Sequence, residues 1–203
     1  PDGSLIATAS SDNDVRLWYG QTGRHLRVLH GHRRPVFAVA FSPSGERLVS
    51  AGADQVLRFW DPQTGAQTAE VSGHSGNTNW LAFSPDGRLM VSTGSEGETW
   101  VRDGHSGAPL RMLRGHSGRV NRAEFFISSG TGGDLRLATA SSDRSVRMWD
   151  PHTGTVLSVL SGFADEVSSV SPSPDGRRLL IVSGEQGVRL WDVAAEMPLA
   201  VLP

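Results

Sequence analysis

Residues 31–71 read GHRRPVFAVAFSPSGERLVSAGADQVLRFWDPQTGAQTAEV, and this stretch decides the fold. Residues 36–41 alternate apolar side chains and stop at the turn sequence Ser42-Pro43-Ser44-Gly45. A second strand is predicted at 47–51, closed by Ala53-Asp54, and a third at 56–60, closed by Pro62 and Gly65. A fourth covers 66–71, after which Gly73-His74 restarts the cycle begun at Gly31-His32. Short strands punctuated by Gly, Pro, Asp and Ser specify meandering antiparallel hairpins. No stretch sustains a helical period.

The unit repeats. VRLW at 15–18, LRFWD at 57–61, VRMWD at 146–150 and VRLWD at 188–192 mark one strand end. Trp18 and Trp60 lie 42 residues apart, as do Trp149 and Trp191, and the 89 between Trp60 and Trp149 hold one more copy with an insertion of five. That copy ends at 99–103 with Arg102 where the others have Trp. A fixed period in the forties means an array of equivalent units that bury their faces on one another, and such arrays serve as binding surfaces. The chain opens at Pro1-Asp2-Gly3, within a unit, with Pro1 in register with Pro43, Pro85 and Pro174. A segment of a longer protein is expected.

Composition excludes several classes. The 203 residues are 37% hydrophobic and 20% charged, ordinary for a globular chain. A net charge of -2 gives no field for nucleic acid or membrane. With no cysteine there is no disulfide, thiolate metal site or thiol nucleophile. No apolar run reaches the roughly 18 residues of a membrane span, and no signal peptide is visible, so a cytoplasmic setting is expected. All 19 basic residues are Arg, which reads as a coding bias of GC-rich bacteria rather than as chemistry.

The Gly-His pairs at 31–32, 73–74 and 115–116 and the Trp-Asp pairs at 60–61, 149–150 and 191–192 resemble the WD-repeat β-propeller family, as do the Ser-Pro-Asp-Gly turns at 84–87 and 173–176. The resemblance covers the whole chain. It implies an all-β fold of blades, each a four-stranded antiparallel sheet, set around a central channel. One domain, 1–203, would hold a partial blade at about 1–30 and four complete ones at 31–72, 73–114, 115–161 and 162–203. Propellers close with about 4–8 blades, and the family resembled usually closes at about seven, so missing blades are expected from the rest of the chain or a second copy. Bacterial arrays similar to this one are often attached to signalling domains.

The same resemblance assigns His32, Ser50, Asp54 and Trp60, and again His116, Thr139, Asp143 and Trp149, to structural tetrads. Each implies a buried relay from indole to hydroxyl to imidazole to carboxylate. The residue types are also those of a hydrolase triad, but a nucleophile would not recur in every repeat and needs an exposed hydroxyl and an oxyanion hole. They read as struts, with no catalytic residue. Copy three keeps His74 and Ser92, with Glu96 and Arg102 in the last two places; copy five has Phe163, Ile181 and Glu185; copy one has Thr8, Asp12 and Trp18. Blades two and four are therefore expected to be the rigid ones. Copy three also reverses the Arg-x-Trp of its neighbours into Trp100-x-Arg102. That swap is either drift with local repacking or an alteration that presents Arg102 or Trp100 to a partner.

Other candidates are weaker. His32, His74 and His116 come from successive repeats without clustered carboxylates, so no metal is expected. His25, His30, His105 and His152 fall in or beside turns and are expected at the surface. The segment SSGTGG at 128–133 lacks the Lys and helix of a phosphate cradle and is predicted to be a long loop of blade four, and no cofactor is expected. Trp80 either fills a gap between blades or stacks on Arg122 near the channel.

In the family that the chain resembles, partners bind the top surface, beside the Gly-His pair and the turn Asp. By position these are Pro35, Phe37 and Ala53; Asn77, Asn79 and Ser95; Arg119, Asn121 and Ser142; and Glu166, Ser168 and Gly184. Phe37, Asn77, Asn79, Arg119, Asn121 and Glu166 are the candidate binding residues. A mixed polar set with one aromatic suits a protein or peptide better than a polyphosphate. The expectation is a non-catalytic protein–protein interaction scaffold. The alternatives are a hydrolase- or lactonase-like propeller, for which the face offers one carboxylate, Glu166, and a structural spacer.

Overall fold

The computed structural model describes residues 1–129, 133–184 and 187–202 and is all-β, as five antiparallel sheets. The first has three strands, β1 (Leu5–Ala9), β2 (Val15–Tyr19) and β3 (His25–Leu29). Blade two follows with β4 (Val36–Phe41), β5 (Leu48–Gly52), β6 (Val56–Trp60) and β7 (Gln67–Ser72). Blade three is β8 (Thr78–Phe83), β9 (Leu89–Gly94), β10 (Thr99–Asp103) and β11 (Pro109–Leu113). Blade four is β12 (Val120–Ser128), β13 (Asp134–Ser141), β14 (Ser145–Trp149) and β15 (Val156–Leu160). Blade five is β16 (Val167–Pro172), β17 (Arg178–Ser183), β18 (Val188–Asp192) and β19 (Met197–Leu202).

Sequential strands pair in every sheet, so the chain meanders and each blade forms from local contacts. The turn residues explain the spacing. In Ser84-Pro85-Asp86-Gly87 the Ser84 hydroxyl donates to Asp86 at 2.6 Å and accepts the Leu89 amide at 2.9 Å, while Gly87 closes the turn at φ 71°. The Asp of each Trp-Asp pair caps the outer turn: Asp61 accepts the amides of Gln63 and Thr64, at 2.8 and 3.2 Å.

The core lies between blades rather than inside them. Val15, Leu17 and Leu29 of the first sheet interlock with Val36, Leu48 and Trp60 of blade two. Ala51, Leu57 and Phe59 meet Leu81 and Met90 of blade three, and Val91, Val101 and Leu113 meet Ala123, Phe125 and Trp149 of blade four. The last seam sets Met148 and Leu160 against Val170, Leu179 and Trp191. Each Leu or Val sealed this way contributes roughly 1.5–3 kcal/mol of burial.

The SSGTGG insertion lies partly outside the described residues, at 130–132, and the rest of it is not a loose loop. β12 and β13 are lengthened instead, pairing as far as Ser128 with Asp134. The reason is contact with the next blade: the Ser129 hydroxyl donates to the Asp175 carbonyl at 2.7 Å, and a side chain on Gly176 would collide with the Ile127 carbonyl.

Candidate protein-interaction face

Each tetrad stands on three strands and two turns. In blade two the Trp60 indole donates to Ser50 Oγ at 2.8 Å, Ser50 Oγ lies 2.7 Å from His32 Nε2, and His32 Nδ1 lies 2.9 Å from Asp54. In blade four Trp149 reaches Thr139 at 2.8 Å, Thr139 reaches His116 at 2.7 Å, and His116 reaches Asp143 at 2.8 Å. The indole donates to the hydroxyl, whose own proton then points at Nε2, leaving the Nδ1 proton for the carboxylate. Burial holds the His32 and His116 pKa below the ordinary value and keeps both rings neutral. Ser50 and Thr139 are wholly buried, so no substrate carbonyl reaches either hydroxyl.

Blade three departs from the expected set in one residue and completes the network with another. Glu98, not Glu96, meets His74 Nδ1, at 3.2 Å, and also accepts the amide and hydroxyl of Ser75. Glu96 bonds Ser95 instead. The longer Glu side chain starts two residues further on and still reaches the ring. Arg102 fills the missing indole's place: its Nε donates to Ser92 Oγ at 2.9 Å and its two Nη groups donate to the carbonyls of Ser72, Gly107 and Gly73, each at 3.1 Å. It is 1% exposed, so it is not presented to a partner. Trp100 takes the strand position occupied by Arg58 and Arg147, with the Arg102 guanidinium carbon 6.0 Å from its ring centre. Burial first, and then the Arg102 charge, push the His74 pKa down to about 4.

Blade five lacks the relay. Phe163 packs in the core, Ile181 offers no hydroxyl, and the buried Trp191 indole nitrogen has no partner among the described residues. Glu185 lies outside the described residues. In blade one the Trp18 indole donates to Thr8 at 3.0 Å, whereas Asp12 pairs with Arg16 at 2.7 Å.

The face is built by one irregularity repeated four times. The ladder between the first two strands slips between Val36 and Ala38, Thr78 and Trp80, Val120 and Arg122, and Val167 and Ser169. Each slip leaves one residue unpaired: Phe37, Asn79, Asn121 and Ser168. A bulge re-aims a side chain, and these four converge, with Asn77, Arg119 and Glu166, on one open depression of about 380 Å³. Pro35, Ala53, Ser95, Ser142 and Gly184 do not line it. Phe37 is 46% exposed. Two of the other bulged residues bridge blades: Asn121 Nδ2 donates to the Val167 carbonyl at 2.8 Å, and Asn79 Nδ2 to the Val120 carbonyl at 3.4 Å, whereas Ser168 Oγ donates to the Val182 carbonyl of its own blade at 3.3 Å. Ser142 Oγ donates to Glu166 at 2.7 Å, a link the repeat pattern did not signal. Below them the Arg122 guanidinium lies 4.3 Å from the Trp80 ring centre, and Trp80 also packs on the seam between blades three and four.

Among the described residues, no group of three or more His, Cys, Asp or Glu side chains is placed to hold a metal ion. No helix among them is long and apolar enough to cross a membrane.

The family described as WD domain, G-beta repeat, matches residues 1–19, 23–61, 65–103, 107–150 and 154–192, and the chain belongs to it. Over 68 residues the chain is 44% identical to nuclear distribution protein PAC1 of Arthroderma benhamiae, covering 34% of this chain and 14% of that protein. Over 73 residues it is 34% identical to nuclear distribution protein nudF of Emericella nidulans, covering 36% of this chain and 16% of that protein. The matches thus span a small part of these fungal relatives.

Proposed function

We propose that this WD-repeat chain is a non-catalytic protein-interaction module that holds an extended segment of a protein partner across the depression. The carrying observation is the set of four equivalent bulges that aim Phe37, Asn79, Asn121 and Ser168 at one place. An enzyme of propeller architecture would need several titratable groups there, and Glu166 is the one carboxylate in the lining. In this reading the face works within a longer, cytoplasmic polypeptide, as a recognition part coupled to a signalling output. The relatives' description as nuclear distribution proteins supports a scaffolding role. Alanine replacement of Asn77, Arg119 and Glu166 together tests it. Loss of partner capture at an unchanged melting temperature supports the module; unchanged capture supports a structural spacer instead.

A further inference from the structure

Which groups on the face remain available decides what it recognises. Arg119 donates its Nε to Asn121 Oδ1 at 2.8 Å, which sets the guanidinium plane, and both of its Nη groups lack a partner among the described residues. Arg33 and Arg34, on the loop entering β4, likewise make no side-chain ion pair among the described residues. Four carboxylates of the neighbouring turns are committed: Asp54 to His32, Asp143 to His116, Glu98 to His74, and Glu96 to Ser95; a fifth, Asp165 beside Glu166, is exposed but does not line the depression. Glu166 gives one oxygen to Ser142 and makes no ion pair with Arg119. The Asn77 side-chain amide is unbonded among the described residues, and Phe37 shows half its ring to solvent.

We propose that the depression selects an extended peptide segment with an acidic side chain near an apolar one. The proposal rests on the peptide-binding reading above. A carboxylate meets the pre-oriented Arg119 fork in two parallel hydrogen bonds. The apolar side chain lies on Phe37, and the uncommitted Asn77 amide bonds the peptide backbone between them. A single fork flanked by neutral amides matches the charge of a carboxylate and falls short of that of a phosphate cluster.

The test is selection from a random dodecapeptide phage library on the folded protein, followed by titration of the selected synthetic peptide. Asp or Glu together with Leu, Ile or Phe should be enriched. Arg119→Ala and Phe37→Ala should each weaken the peptide by at least about 10-fold at an unchanged melting temperature. Glu166→Gln should raise affinity, since it removes a like charge from the depression. Enrichment of Lys or Arg, lost in Glu166→Gln, would overturn the acidic specificity while leaving peptide binding at this face intact. No enrichment over a Phe37→Ala/Arg119→Ala double variant would sink both readings.

Discussion

Thr99→Val is expected to stabilise the protein. Thr99 opens β10, is wholly buried, and its hydroxyl has no hydrogen-bond partner among the described residues. The equivalent residue in every other blade is apolar: Val15, Leu57, Val146 and Val188. Across the ladder it faces Leu113, which packs on blade four, so the hydroxyl sits in an apolar seam. A buried hydroxyl without a partner costs about 1–3 kcal/mol, and valine replaces it with a methyl group of similar shape. A net gain of about 1–2 kcal/mol follows, or roughly 2–8 °C in melting temperature for a chain of this size. The assay is guanidinium unfolding followed by tryptophan fluorescence, with the midpoint raised and the slope unchanged. The reciprocal Val146→Thr should cost a similar amount. Loss of 1 kcal/mol or more in Thr99→Val would refute the reasoning, because the hydroxyl would then have a partner.

Arg102→Ala should cost about 3–5 kcal/mol, since it strands Ser92 and three carbonyls around a void, and a loss below 1 kcal/mol in denaturant titration would contradict that. Stability should fall as pH drops from about 6.5 to about 4. The unfolded imidazole takes up a proton near 6.5, whereas folded His74 resists until about 4, so the unfolded state gains on the order of 3 kcal/mol from this residue across the window. His32 and His116 shift the same way. His74→Gln should flatten the profile, and an equally steep profile would contradict this assignment. Amide exchange should be slow in β5–β6, β9–β10 and β13–β14 and faster in β17–β18, where Ile181 and an unbonded Trp191 leave the relay unformed. Equal protection across all four blades would count against the relays as stabilisers.

The repeat was legible because identical turns recur: the Ser-Pro-x-Gly and Trp-Asp signals depend on short-range hydrogen bonds, so spacing alone located the strands. Four features depended on tertiary contact and stayed hidden. Glu98 and Glu96 both precede β10, and only the reach to His74 separates them. The lengthened β12–β13 hairpin reads as a Gly-rich loop until the turn of blade five is placed under it. Position in the repeat pointed to Phe37, Asn79 and Asn121, but the bulge that turns them inward changes the pairing without any marker such as glycine. The Arg102 exchange was visible as a swap. Its burial was not, because arginine in a strand ordinarily reads as surface.

The most direct test of the interaction face replaces Phe37 with a photo-crosslinking phenylalanine analogue in the living source cell, with the same analogue at exposed Ile127 as control. A discrete protein adduct from position 37, absent from position 127 and lost when Arg119→Ala is added, is the predicted result. Adducts of equal yield from both positions, or adducts indifferent to Arg119, would contradict the assignment of binding to the bulge-lined depression.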